Sequence, residues 1–176
     1  MRFAAPVECD VPLASALQPS FVASAYFCDA YRAPLTEPAA GVVDIFFGIF
    51  DHHPRWIKLA LVSRNRIAKV FGLSVPMEAD VMSPHRRQTY TVGDTMGPWP
   101  IFGISDNELI VGRDNGHLDF RLSICRERGE QGPTVVVSTI CVVHNWFGKA
   151  YLFFIVPFHR WGVKYTITRA LRAGRL

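Results

Sequence analysis

At 176 residues, with 49% hydrophobic and 19% charged side chains, the chain suits one domain burying roughly 70% of its unfolded surface, and it is too apolar to be disordered. Its net charge of +4 is small and scattered, with no dense Lys/Arg cluster interleaved with aromatics, which argues against a nucleic-acid partner. The apolar share exceeds what a bare scaffold needs, so part of it is expected to line a cavity.

Residues 1–19 read as an N-terminal arm. Arg2 and the Ala14-Ser15-Ala16 triplet hint at a secretory leader, but Glu8 and Asp10 interrupt its apolar stretch, so the protein reads as soluble and cytoplasmic. Phe21 to Tyr31, aromatic-rich and bounded by Pro19 and Pro34, reads as a first strand. Thr36 then offers an N-cap with Pro38 in the first turn. Val42, Val43, Ile45, Phe46, Ile49 and Phe50 follow at helical spacing, predicting a helix that ends near His52.

A second amphipathic helix is predicted from Pro54 to Phe71, stopped by Gly72, and Leu73 to Arg87 reads as a loop. Short strands with tight turns follow: Gln88 to Val92, Trp99 to Ser105, Glu108 to Arg113, His117 to Arg126 and Thr134 to His144. Asp106-Asn107 and Asn115-Gly116 mark hairpins, the second because both residues tolerate positive φ. Trp146 to Leu171 reads as a long helix kinked at Pro157. Leu152, Ile155, Val156, Val163, Ile167 and Ala170 share one face, and Arg160, Lys164, Arg172 and Arg175 another. Its most apolar run, Ala150 to Phe158, is far below the ~20 residues that span a bilayer, and reads as buried helix.

This is one α+β domain over 1–176, with its core in 20–172. The order of strand, two helices, antiparallel meander and closing helix is the layout of the START-like (SRPBCC, birch-pollen-allergen-like) superfamily, the helix-grip fold. Gly112-Arg113-Asp114-Asn115-Gly116-His117-Leu118-Asp119-Phe120-Arg121, Ser138-Thr139 with Val143-His144-Asn145, Gly148-Lys149-Ala150-Tyr151 and Ile155-Val156-Pro157-Phe158-His159-Arg160 resemble an uncharacterised bacterial family associated with that superfamily. The resemblance implies a hydrophobic cavity between sheet and helix, and occurrence alongside reductase-like dinucleotide-binding domains. The reading yields about six strands where the superfamily usually has seven.

Several constellations could carry chemistry. His117, Asp119 and Arg121 alternate along one predicted strand and so share a face, where a carboxylate-positioned histidine could act as a general base, with His144 nearby. Against this, Leu118, Phe120 and Leu122 look like the cavity-facing set, which turns the polar residues outward. His159 falls inside the apolar stripe of the closing helix, as a ligand contact, a catalytic imidazole or a core histidine bonded near Pro157. Phe46, Phe50, Trp99, Phe102, Phe120 and Phe154 could line a pocket or serve as plain core.

Cys9, Cys28, Cys125 and Cys141 show no metal-type spacing and read as free buried thiols, and no phosphate loop, nucleophile elbow or zinc-protease helix occurs. No cofactor or metal is implied. The leading expectation is a domain binding a hydrophobic or amphipathic small molecule. An acid-base enzyme using His117, Asp119 and His159 stands beside it. So does an interaction module, a homodimer for instance, whose partner covers the doubly apolar strand Val135-Val136-Val137.

Overall fold

In the computed structural model, residues 5–17, 19–52, 59, 62–63, 86–129 and 132–176 are described. The predicted helix Pro54 to Phe71 and the loop Leu73 to Arg87 lie almost wholly outside them.

The described elements are β1 (Val7–Glu8), α1 (Ser20–Ala23), β2 (Phe27–Pro34), α2 (Val42–Phe50), β3 (Thr95–Met96), β4 (Trp99–Ile104), β5 (Glu108–Asp114), β6 (Leu118–Gly129), β7 (Gly132–Val143) and α3 (Trp146–Arg172). The strands form one antiparallel seven-stranded sheet in the order β1-β2-β7-β6-β5-β4-β3, compatible with a helix-grip architecture. The meander from β3 to β7 is closed by β2, which returns from the N-terminal side to pair along β7.

Both faces of the central strands are covered. On the concave face Tyr31, Leu109, Leu122, Ile124 and Val137 pack against α2 and against Val163, Ile167 and Ala170 of α3. On the convex face Ala30, Ile110, Val136 and Ile140 pack against Val11, Leu17, Phe21 and Val22. Val135-Val136-Val137 is therefore apolar on both sides because the chain's own N-terminal arm covers the second face, a role the sequence reading gave to a partner.

Several boundaries differ from the sequence reading. Ser20 to Ala23 form a helical turn, and the strand begins at Phe27, because Phe21 and Val22 lie over the convex face instead of in the sheet. Helix α2 is capped by Gly41, with the Asp44 carboxylate accepting from the Gly41 N–H at 3.3 Å, while Thr36 donates its N–H to Leu176 O at 2.8 Å. Gln88 to Val92 is irregular, and the extra strands are the short β1 and β3. In the β5–β6 turn Asn115 N donates to Leu118 O at 3.1 Å, so the turn centres on Gly116-His117, one residue later than expected, and neither residue has positive φ.

Helix α3 runs through Pro157 from Trp146 to Arg172. Leu152, Val163, Ile167 and Ala170 face inward, but Phe153, Phe154 and Phe158 are exposed, correcting the reading of Ala150 to Phe158 as buried. Its start is fixed by Asn145, whose side chain accepts from Gly148 N at 3.0 Å and donates to Gly116 O at 3.0 Å. A Cβ on Gly148 would sit 2.2 Å from the His117 carbonyl oxygen, so only glycine lets helix and turn meet. Gly162, in the same helix, has no such neighbour. Gly148→Ala is expected to destabilise by about 2 kcal/mol or more. Gly162→Ala should be neutral or stabilise by up to about 1 kcal/mol. Urea unfolding of both variants checks the contrast.

Candidate ligand-binding site

Side chains two apart on a strand share a face, which places Phe27, Asp29 and Tyr31 of β2 together on the concave side. Asp29 pairs in register with Thr139 of β7, which pairs with Leu122 of β6. Helix α3 crosses above and lowers His159 onto this row: its Nε2 lies 3.3 Å from Asp29 Oδ1, and the ring meets Phe27 edge-on at 5.7 Å. The Tyr31 hydroxyl donates to Asp29 Oδ2 at 3.2 Å. The Asp29 side chain has 0% exposure, His159 only 23%.

The electrostatics are those of a carboxylate taken out of water beside aromatics. Burial, reinforced by Asp29, pushes the Tyr31 phenol well above its usual range, so it remains a hydrogen-bond donor. Lys164 Nζ lies 5.0 Å above the Tyr31 ring and Arg160 Cζ 5.7 Å above that of Phe27, bringing two cations to the rim. Thr139 Oγ1 is buried without a hydrogen-bond partner among the described residues. In a neutral imidazole, an Nε2–H donated to Asp29 leaves the Nδ1 lone pair as acceptor or base.

His117, Asp119 and His159 are not brought to one place. His117 is a turn residue, which takes it out of the strand alternation. It lies buried between the rings of Phe147 and Tyr151, each at 5.5 Å. Its Nδ1 has no partner among the described residues. Asp119 binds His144 Nε2 at 3.0 Å and accepts from Asn115 N at 3.2 Å, bracing the turn. Arg121 faces the convex side, 2.5 Å from Asp114 and 3.5 Å above the Phe102 ring.

Among the sequence-selected aromatics, Phe46, Phe50, Trp99 and Phe120 form one concave-face cluster with ring centroids 5.2 to 6.1 Å apart. Phe102 lies under Arg121 on the other face, and Phe154 on the outside of α3. Asp29 and Tyr31 went unnoticed in the sequence as site residues, and Thr139 entered only through the Ser138-Thr139 pair of the family resemblance, with no role given to it. The available signal was a lone acid inside an apolar strand with aromatics two residues to either side.

Elsewhere, a cleft of about 890 Å³ lies at the β6–β7 end beside Ser105, Glu108, Arg126 and Arg128, and one of about 430 Å³ lies beside Asp44, Arg86 and Tyr90. Both sit at the margins of the sheet. Their acids are engaged: Glu108 accepts from Ser15 Oγ and Ser123 Oγ, each at 2.5 Å, and from Ala16 N at 2.7 Å, and Asp44 pairs with Arg86. No group of three His, Cys, Asp or Glu suited to a metal occurs among the described residues. Cys125 and Cys141 are buried, with thiols pushed up to about 12 chiefly by burial, whereas Cys9 is half-buried and Cys28 exposed.

A family profile described as "Protein of unknown function (DUF2867)" matches residues 21–166. The chain belongs to that family. The matched stretch carries every side chain of the DUF2867 concave row, from Phe27 to His159. No curated protein and no solved structure matches the chain. No described helix is long and apolar enough to cross a membrane.

His117 supplies a test of the turn in this DUF2867 chain. Burial, with a smaller contribution from His144, holds its pKa below the usual histidine value in the folded state. The folded chain thus binds this proton less readily than the unfolded one. The stability it contributes is complete above about pH 6.5 and is lost as pH falls from there toward the lower folded value. His117→Phe should melt with a shallower decline between about pH 7.5 and 5.5 than the wild type. Thermal melts across that range check it, and parallel declines would refute the assignment.

Proposed function

We propose that this DUF2867 chain has the helix-grip fold and binds an amphipathic small molecule between the concave face of its sheet and α3. Asp29, His159 and Thr139 take the polar group in this reading. The apolar part lies along Leu122 toward Phe120 and Trp99, about two strand spacings or ~10 Å away. The observation that carries it is the pairing of a wholly buried carboxylate, Asp29, with an imidazole, next to the unsatisfied hydroxyl of Thr139. A few convergent polar groups within apolar walls are the usual makeup of small-molecule sites. An unpaired buried hydroxyl costs about 1–3 kcal/mol, which a bound polar group would recover.

A second reading is supported by one feature of the same row: Asp29 holds His159 by one nitrogen, the arrangement that readies an imidazole as a general base. The acid-base pair is then Asp29 and His159, in place of His117 and Asp119.

Native mass spectrometry of the protein as purified tests both. A retained small-molecule mass is expected, and Thr139→Val should lose it while the free variant melts at an equal or higher temperature, since the substitution removes only the unpaired hydroxyl. Bare chain from the wild type, or an adduct undiminished in Thr139→Val, would overturn the binding role. Under the enzyme reading, Asp29→Asn keeps an adduct but with the mass of unconverted substrate.

A further inference from the structure

Helix α3 is 27 residues long and contains Lys149, Arg160, Lys164, Arg169 and Arg172 but no Asp or Glu. An ordinary solvated helix face mixes both signs of charge and carries few large apolar side chains. Here Leu152, Val163, Ile167 and Ala170 hold the helix on the sheet, while Trp146, Phe153, Phe154, Phe158 and Trp161 project outward with 54% to 77% exposure. From Trp146 to Trp161 the stripe runs about 22 Å along the axis. Within it Phe153 meets Phe154 edge-on at 5.3 Å, and Trp161 stacks on Tyr165 at 5.2 Å.

On the helical wheel Lys149, Arg160 and Lys164 line one edge of the stripe, and Arg172 falls at the angle of Phe154, in line with the stripe beyond its C-terminal end. Tyr26, also exposed, sits beside Lys149, whose Nζ is 5.7 Å from its ring.

Lys164 has an acidic neighbour, its Nζ lying 3.5 Å from Glu8 Oε2. From the aromatic stripe and the basic border, on a helix that itself carries no acid, we infer that the outward face of α3 docks on an anionic lipid surface. The helix lies in the headgroup region with its aromatics inserted and its cations among the lipid charges. Charge decides between this occupant and a second copy of the chain. A two-fold dimer through α3 would set Lys149 and Arg160 of one copy against the same helix of the other, with no carboxylate on either helix to pair with them. An anionic bilayer supplies apolar depth and opposite charge together. The inference rests on the outer face of α3; it shares with the Asp29–His159 site on the inner face only Arg160 and Lys164, which stand at the rim between the two.

The test is flotation of the full chain with phosphatidylcholine vesicles, alone or mixed with phosphatidylglycerol. Binding to the mixed vesicles is expected, with a blue shift of tryptophan emission. Binding should weaken as salt is raised, and with phosphatidylcholine alone. The triple variant F154E/F158E/W161E should lose at least about tenfold in vesicle affinity with its melting temperature kept, since all three side chains are exposed. K149E/R160E should remove most of the preference for anionic vesicles. Equal flotation of wild type and triple variant, or no flotation with mixed vesicles, would overturn the inference. So would a lipid-free dimer in sedimentation that the triple variant dissolves without any flotation of the wild type.

Discussion

The geometry of the candidate site depends on one backbone contact, the meeting of Gly148 with the carbonyl of His117. That contact sets the height and rotation of α3 over the sheet at its first turn. Eleven residues on, close to three full turns and about 16 Å along the axis, His159 occupies nearly the same angular position as Gly148. A helix seated by Gly148 must therefore present His159 to the sheet, and the strand beneath it there is β2, at Asp29. At the far end Arg175 donates to Gly48 O at 3.0 Å, and Leu176 O accepts from Thr36, so α3 is anchored at both ends with the histidine between.

Among the described residues two carboxylates are buried, on opposite faces of the sheet, and they behave differently. Glu108 is saturated by short bonds from Ser15, Ser123 and the Ala16 N–H, and those bonds pin the N-terminal arm to the convex face. Asp29 has only the longer contacts from Tyr31 and His159, at 3.2 and 3.3 Å, and a carboxylate can accept about four hydrogen bonds. Burial alone does not mark a site, since both acids are buried. Ser138 Oγ, in register with Ser123 on the convex side, also lacks a partner among the described residues, so it is the spare capacity of the carboxylate that distinguishes Asp29, and on that criterion the convex acid reads as scaffold.

The long closing helix and the meander were legible because they rest on strong local signals: a sustained helical period from Trp146, and alternating strands punctuated by Asp106-Asn107 and Asn115-Gly116. What escaped the sequence depends on tertiary partners. Phe21 and Val22 look like strand residues until the convex face is known to need a cover. His117 reads as the start of β6 unless the turn is placed one residue later, and that single step separates it from Asp119 and Arg121. Asp29 is conspicuous only once Thr139 and His159 are known to converge on it. The short strands Val7–Glu8 and Thr95–Met96 carry too few residues for any periodicity to declare them.

Apolar residues in excess of scaffold needs suggest an internal cavity, but the structure shows another destination for much of that excess. Periodicity separates an apolar stripe from a polar one, but α3 sets aliphatic residues on one face and aromatics on the other, so hydropathy reads the Ala150 to Phe158 run as interior. The feature that distinguishes an exposed aromatic face from a buried one is the company it keeps. On α3 the inward residues are aliphatic and small, whereas the outward ones are large aromatics bordered by cations. The apolar surplus therefore cannot by itself argue for room under the helix. That argument has to come from the polar row of Asp29, Thr139 and His159, which a solid aliphatic core would have no physical reason to contain.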